Sequence, residues 1–381
     1  MNDIAQLTVN FIKCQLHSDT QMLSVTDDSQ IEGVYNFSRE QDVASITGKT
    51  ILDSGKFEQS EYAGHFFVEQ FGAEMRYRKQ QYEISKICEA FDKNKIYYVL
   101  LKGAVIRELY PDPSMRTSSD IDILVKKEDI ERAGIVIEKE LGGQFMCRTA
   151  HDVSYTTEND VHVELHYSLV EKTSPGSNVL ENPWDNVIYG DGFEAWLTNE
   201  FFVYYHIAHM VKHFVNGGFG IRFILDLYLI NQNMSYDKKV LDELYDKGGI
   251  KKFAHIATKL SNVWFGDDIG DESTSLMEDY ILNSGLYGNL EQYVIINQIH
   301  SDNKSESIIN RIFMPYNELI ILYPKLENRR YMYPWYFTKR LFRIAFSDDR
   351  KKAVAELKLH SDMDEDKKQS VKKLLNMLDI Q

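Results

Sequence analysis

The chain has 381 residues, 43% hydrophobic and 27% charged, with 23 Tyr and 20 Phe, so ordinary globular packing is expected and extensive disorder is not. At ~100–200 residues per domain this length predicts two or three domains. The net charge of −15 repels phosphate backbones and anionic membrane surfaces, which argues against a broad nucleic-acid-binding face.

At the N-terminus, residues 3–17 have helical periodicity, and 18–60 are polar and mixed; together 1–60 are expected to form an N-terminal helical segment. The opening MNDIAQLTVNFIKCQLHSDTQ lacks the basic-then-apolar order of a signal peptide. The stretch 61–93 predicts a long helix, with Ile84, Ile87, Cys88 and Phe91 at helical spacing. The period then shortens. IYYVLL at 96–101 predicts a strand, and AVIRELY at 104–110 a short helix stopped by Pro111 and Pro113. DIDILV at 120–125 predicts a strand, and 127–141 a helix ended by Gly142 and Gly143. Three β-like runs follow, QFMCRT, DVSYTTE and VHVELHYSLV, with a turn at Glu158-Asn159-Asp160.

The fold class is therefore α+β. A small mixed sheet with helices spans 61–172, and 173–195, with Pro175 and Pro183, is expected as a linker. An all-helical C-terminal domain is expected over 196–381, with helices at 197–215, 221–231, 236–247, 250–265 and 272–284 and more to the end. Three widely spaced cysteines, Cys14, Cys88 and Cys147, form no CxxC and suit a reducing, cytoplasmic setting. No apolar run approaches the ~18 residues of a membrane span.

The chemistry concentrates in LLKGAVIRELYPDPSMRTSSDIDILV, 100–125. Alternate strand residues share a face, so Asp120 and Asp122 point one way and Ile121 and Ile123 the other. Two carboxylates on an apolar strand need a counter-charge, and a divalent cation such as Mg²⁺ or Mn²⁺ supplies one. The turn Lys102-Gly103 precedes them; glycine lets backbone approach a phosphate, and the helix start and Lys102 favour an anion. Downstream, His162, Glu164 and His166 share one face of VHVELHYSLV, and Glu164 is the candidate third acid. A DxD alone is a weak signal: Asp362 and Asp364, in HSDMDEDKK, form another that suits a solvated acidic segment.

The combination of LLKGAVIRELYPDP, RTSSDIDILV and VELHYSL resembles a family of mostly bacterial nucleotidyltransferases with largely unassigned substrates, within the superfamily that includes DNA polymerase beta. The resemblance covers roughly residues 95–230. It implies a metal-dependent transferase that passes a nucleotide from an NTP, ATP among them, to a hydroxyl on a small-molecule or protein acceptor. Carried over, Gly103 is the turn glycine, Ser119 the small polar residue before the first acid, Asp120 and Asp122 the metal pair, and Glu164 the third acid. Ala104 departs from the usual Ser after the glycine. Lys102, Arg116, Ser118 or Ser119 would then hold phosphate in its place. The proton acceptor would be Glu164, His166 or His213. A non-catalytic nucleotide-binding protein of the same fold and a protein adenylyltransferase are the alternatives.

In HIAHMVKHFVNGGFGIRFILDLYLI, His206, His209, Lys212 and His213 fall near one helix face, with Asp226 one helix later. Interior hydrogen-bonded histidines, a metal site, or a cleft wall facing nucleotide or acceptor all fit this spacing; the resemblance favours the wall. The basic aromatic run RRYMYPWYFTKRLFR at 329–343 reads as a helix-packing face with snorkelling cations more than as a nucleic-acid contact.

Overall fold

The computed structural model describes residues 3–19, 27–171, 174–286, 288–300, 316, 319–320, 323, 326, 329–346 and 365–380. Three helices, α1 (Asp3–His17), α2 (Asp28–Glu40) and α3 (Ala44–Ser54), lead into α4 (Glu61–Lys93), whose 33 residues span ~50 Å at ~1.5 Å per residue. Ser60 caps α4 by accepting from the Tyr62 amide. Then follow β1 (Tyr98–Leu100), the one-turn α5 (Gly103–Ile106), β2 (Asp120–Val125), α6 (Ile130–Glu140), β3 (Gln144–Arg148), β4 (Asp152–Thr156), β5 (His162–His166), β6 (Val187–Tyr189) and β7 (Glu194–Leu197). Among the described residues the remaining helices are α7 (Asn199–Val215), α8 (Ile221–Asn233), α9 (Lys238–Gly248), α10 (Lys251–Phe265), α11 (Glu272–Leu282), α12 (Leu290–His300), α13 (Tyr333–Phe346) and α14 (Glu365–Leu378).

The seven strands form one mixed sheet in the order β3-β4-β5-β2-β1-β7-β6. β2 pairs parallel with β5 and antiparallel with β1, and β1 pairs parallel with β7. The mixed α+β architecture matches the sequence expectation. The expected linker is different: residues 187–197 add β6 and β7 to the sheet edge. Their pattern is short, with Ala195 and Leu197 turned inward, and Gly190 and Gly192 interrupt it. Tyr97 packs against Tyr189 and Phe193, an anchor that appears only once the edge strands are paired.

Alternation on β2 divides the core. Ile121, Ile123 and Val125 pack with Ile87 and Phe91 of α4 and Val136 and Ile137 of α6. Leu124 joins the opposite core with Phe201, Tyr205, Ile224 and Leu260 from the helical half. The N-terminal helices are not a separate annex: Val9, Ile12, Val43 and Ile46 belong to that same opposite core. His17 bonds the Phe265 carbonyl at 2.7 Å, and Lys13 bonds the Gly266 carbonyl.

Among the described residues no helix is long and apolar enough to cross a membrane. Asp362 and Asp364 lie outside the described residues. In the 329–343 run, Tyr331 and Trp335 are exposed and Arg340 is buried, so only part of that face packs.

Helix α6 offers a clean packing test. Ile137 is buried in the sheet core and Ile135, two residues away, is exposed. Ile137→Ala is expected to cost ~2–5 kcal/mol in urea unfolding, and Ile135→Ala to stay within ~0.5 kcal/mol.

Candidate active site

The polar face of β2 meets the polar face of β5 in register: Asp120 lies opposite His162, Asp122 opposite Glu164, and Leu124 opposite His166. Parallel pairing thus brings residues some 40 positions apart in sequence onto one surface, since side chains alternate with the same period on both strands. Asp122 is only 3% exposed. Two groups donate to its Oδ1: the Lys102 ammonium at 2.7 Å and the His166 Nε2 at 2.7 Å. Burial alone would raise the Asp122 carboxyl; Lys102 and then His166 more than offset this and hold it far below the usual carboxylate range. Burial would likewise lower the Lys102 ammonium, and Asp122 holds it above its ordinary value.

Asp120 sits at the mouth of the same face, where Ser118 Oγ donates to its Oδ1 at 2.9 Å. Burial, then the charge of Asp122, raises its carboxyl above the ordinary value, with Lys102 and Ser118 opposing. Glu164 is 3.4 Å from His166 Nε2 and 3.3 Å from His162 Nε2. The His166 hydrogen bond lowers its carboxyl, against burial and Asp122. Asp122, Glu164 and His166 offer ligand atoms within 4.8 Å of one another. This is an oxygen-rich set suited to a hard divalent cation. The excess negative charge felt by Asp120 is what such a cation would relieve, so the residues fit one.

The turn before β2 is built tightly. Lys102 has φ +40°, unusual for a residue with a side chain. At Gly103 a Cβ would come within 2.8 Å of Arg116 Nη1 and 2.9 Å of Ser118 Oγ, so a side chain there would have to displace Ser118 and the Arg116 guanidinium that Asp226 pins. Arg107 Nε donates to the Gly103 carbonyl at 2.9 Å and its Nη2 to Gln80 Oε1 at 2.7 Å; Gln80 in turn donates to the Ser118 carbonyl at 3.0 Å. Helix α4 therefore braces turn and loop together. The helix start, where a phosphate site is expected, offers few free amides. α5 has one turn, and the amides of Ala104, Val105 and Ile106 already bond the carbonyls of Leu101 and Lys102. The local positive charge is the Lys102 side chain.

A cavity of about 310 Å³ opens between this face and the helical half. Lys102, Gly103, Arg116, Ser118, Ser119, Asp120 and Asp122 line one side, and His206, His209, His213 and Asp226 the other. Lys212 turns aside to Glu171 at 3.5 Å. His162 touches Glu164 at the outer end of β5. Arg116 does not present a free guanidinium: it is buried in a two-pronged bond to Asp226 at 2.9 and 2.8 Å, and Tyr110 also donates to Asp226 at 2.8 Å. Arg116 joins loop to helical half, with phosphate contact limited to what that pair leaves open.

Sequence reasoning missed Phe202, Tyr205, Arg222 and Phe223 in the cavity wall. Phe202 and Tyr205 lie on the helix face of His206, His209 and His213, and extending that face by one turn finds them. Arg222 gave no such signal; it is placed by Asp42 and by the Thr117 carbonyl at 3.1 Å. The imidazoles are held neutral. Burial, then His213, pushes His209 well below its ordinary value, and burial, then Lys212, pushes His213 down to about 4. Their Nε2 atoms are 3.2 Å apart, so one carries the proton and the other accepts it.

Residues 27–266 match the model of a family described as an uncharacterised nucleotidyltransferase. No curated protein and no solved structure matches the chain.

Two outcomes follow from this site. Asp226→Asn leaves the Arg116 charge buried without its partner, and should cost ~3–5 kcal/mol in denaturant unfolding; the double change Arg116→Met, Asp226→Leu should recover much of it. The second concerns pH. His213 binds its proton at about 4 when folded and at ~6.5 when unfolded, so the unfolded chain takes up the proton first. Melting temperature should fall as pH drops from ~6.5 toward ~4, and His213→Gln should flatten that stretch of the curve.

Proposed function

The chain belongs to the uncharacterised nucleotidyltransferase family, and on that footing we propose that it transfers a nucleotide from an NTP to a hydroxyl acceptor with Mg²⁺ or Mn²⁺. The observation that supports this reading is the register of β2 and β5: Glu164 lies directly opposite Asp122 on the sheet face whose Asp120 and Asp122 line the cavity. Asp120, Asp122 and Glu164 would hold the cation. When bound, it neutralises triphosphate charge and favours loss of pyrophosphate.

The chain's own residues do the rest. Ser118, Ser119 and Lys102 face the volume a triphosphate would fill and supply donors to its oxygens. Lys102 neutralises Asp122 in the ligand-free site and, lining the cavity, is a cation available to an incoming phosphate. The acceptor oxygen attacks the α-phosphorus, and the bond to the bridging oxygen of the departing pyrophosphate breaks. The hydroxyl proton passes to His209 or His213, both neutral and lining the cavity, once the acceptor hydroxyl displaces the hydrogen bond between their Nε2 atoms. Phe202, Tyr205 and Phe223 make the wall apolar, which suits a base or another flat group.

A second reading keeps the nucleotide and drops the chemistry. Ala104 at the position where the resembling family carries Ser, and the ion pair of Lys102 with Asp122, both favour it. Pyrophosphate release separates the two. Thermal stability with Mg²⁺ or Mn²⁺ and each of ATP, GTP, CTP and UTP identifies the donor, since a ligand at ~100 times its Kd adds ~2.7 kcal/mol. Asp120→Asn removes a carboxylate whose charge is disfavoured in the free fold. Its melting temperature without ligand should equal or exceed that of the wild type, while the metal-dependent nucleotide shift and pyrophosphate release disappear. Release that persists in this variant would overturn the assignment.

A further inference from the structure

Beside the acidic face, one strand further out, is a second cluster of metal-binding groups. His151, Asp152 and His166 offer ligand atoms within 4.8 Å of one another. Topology brings them together: β4 and β5 run antiparallel with Asp152 directly opposite His166, and His151 precedes β4 in the turn closed by the Thr149 amide on the Asp152 carbonyl at 2.9 Å. His151 Nε2 lies 3.1 Å from Asp152 Oδ2, and Thr149 Oγ1 donates to that same oxygen at 2.9 Å.

Two atoms here are unexplained. Among the described residues Asp152 Oδ1 and His166 Nδ1 have no hydrogen-bond partner, although the residues are only 4% and 1% exposed. Buried polar atoms are nearly always satisfied, so each requires an account. The other nitrogen of His166 narrows the choice. Nε2 is 2.7 Å from an Asp122 oxygen, and an ionised carboxylate only accepts, so Nε2 carries the hydrogen. In the neutral ring Nδ1 is then a lone pair. With the ring neutral, a buried lone pair and a buried carboxylate oxygen in one cluster call for a cation, which competes at Nδ1 with the proton that Asp122 and Glu164 favour on His166.

We propose that His151, Asp152 and His166 form a transition-metal site that takes Zn²⁺. Two imidazoles and a carboxylate are a zinc ligand set with a fourth position left for water. A ligating imidazole characteristically donates its other N–H to a carboxylate, and a ligating carboxylate is hydrogen-bonded in turn. His166 does the first with Asp122, and Thr149 does the second for Asp152. The nearby cation Lys212 is paired with Glu171. Bound zinc fixes the His166 tautomer, so that Asp122 always receives an N–H. The site is a positioning device for the acidic face and stands independently of what that face transfers.

The test uses the full chain, stripped with a chelator and titrated with Co²⁺, whose visible absorption reports tetrahedral coordination; Zn²⁺ is then added as competitor. The expected result is one saturable equivalent of tetrahedral absorption, displaced by Zn²⁺. His151 is half-buried and outside the core, so His151→Ala should keep the wild-type circular dichroism. It should weaken Co²⁺ binding by more than ~100-fold, since loss of an outer partner alone costs ~10–100-fold. Asp120→Asn should leave the titration unchanged. The proposal is overturned by any of three results: no saturable Co²⁺ in wild type, full binding retained in both His151→Ala and Asp152→Asn, or binding lost in Asp120→Asn, which would place the ion on the acidic face instead.

Discussion

A carboxylate that is almost wholly enclosed, Asp122, sets the terms for the region around it. A buried charge is tolerated only when paired and hydrogen-bonded. Two elements meet that demand from opposite sides: the turn after β1 delivers Lys102, and the end of β5 delivers His166. The unusual φ of Lys102 and the missing side chain of Gly103 are consequences of threading that turn close to β2. Strain of this kind persists only where surroundings over-determine the backbone, and here Arg107, Gln80 and Arg116 all press on it.

A second buried pair, Arg116 with Asp226, decides where the cavity lies. It joins the loop before β2 to the middle of α8, so the histidine face of α7 looks across at the acids. The N-terminal helices secure the same joint. Asp42, in the turn after α2, accepts from Thr117 and from Arg222, while Gln41 accepts from the Ile221 amide. Sheet, helical half and N-terminal helices are thereby held to one geometry, and the family match, from 27 to 266, includes Gln41, Asp42, Arg116, Thr117, Ile221, Arg222 and Asp226, which make these bonds.

The element order was readable because its signals are local. The helices from α7 to α11 fall within a few residues of the periodic apolar stretches that announce them. The acids Asp120, Asp122 and Glu164 were readable as polar residues at alternate positions in runs otherwise fit for a core. The strands β6 and β7 were not, because three- and four-residue strands broken by glycines carry too little period to separate from a loop. Arg116 is expected on phosphate because Ala104 stands where the resembling family carries Ser, which leaves that role to a nearby polar or cationic group. Its actual partner is more than a hundred positions away, and no local pattern announces a partner at that range.

The sequence by itself determined the alternation on β2 and β5, the glycine turn, the helical halves and the histidine face of α7, since each depends on neighbours along the chain. Only the tertiary structure decided that β5 pairs parallel to β2 in the register that sets Glu164 beside Asp122, that Lys102 occupies the acid it was expected to accompany, and that His166 bonds Asp122 through Nε2 while standing opposite Asp152 on the next strand. Those outcomes turn on which strand lies next to which and on how buried charges find partners, and both are settled by packing across long separations in the chain.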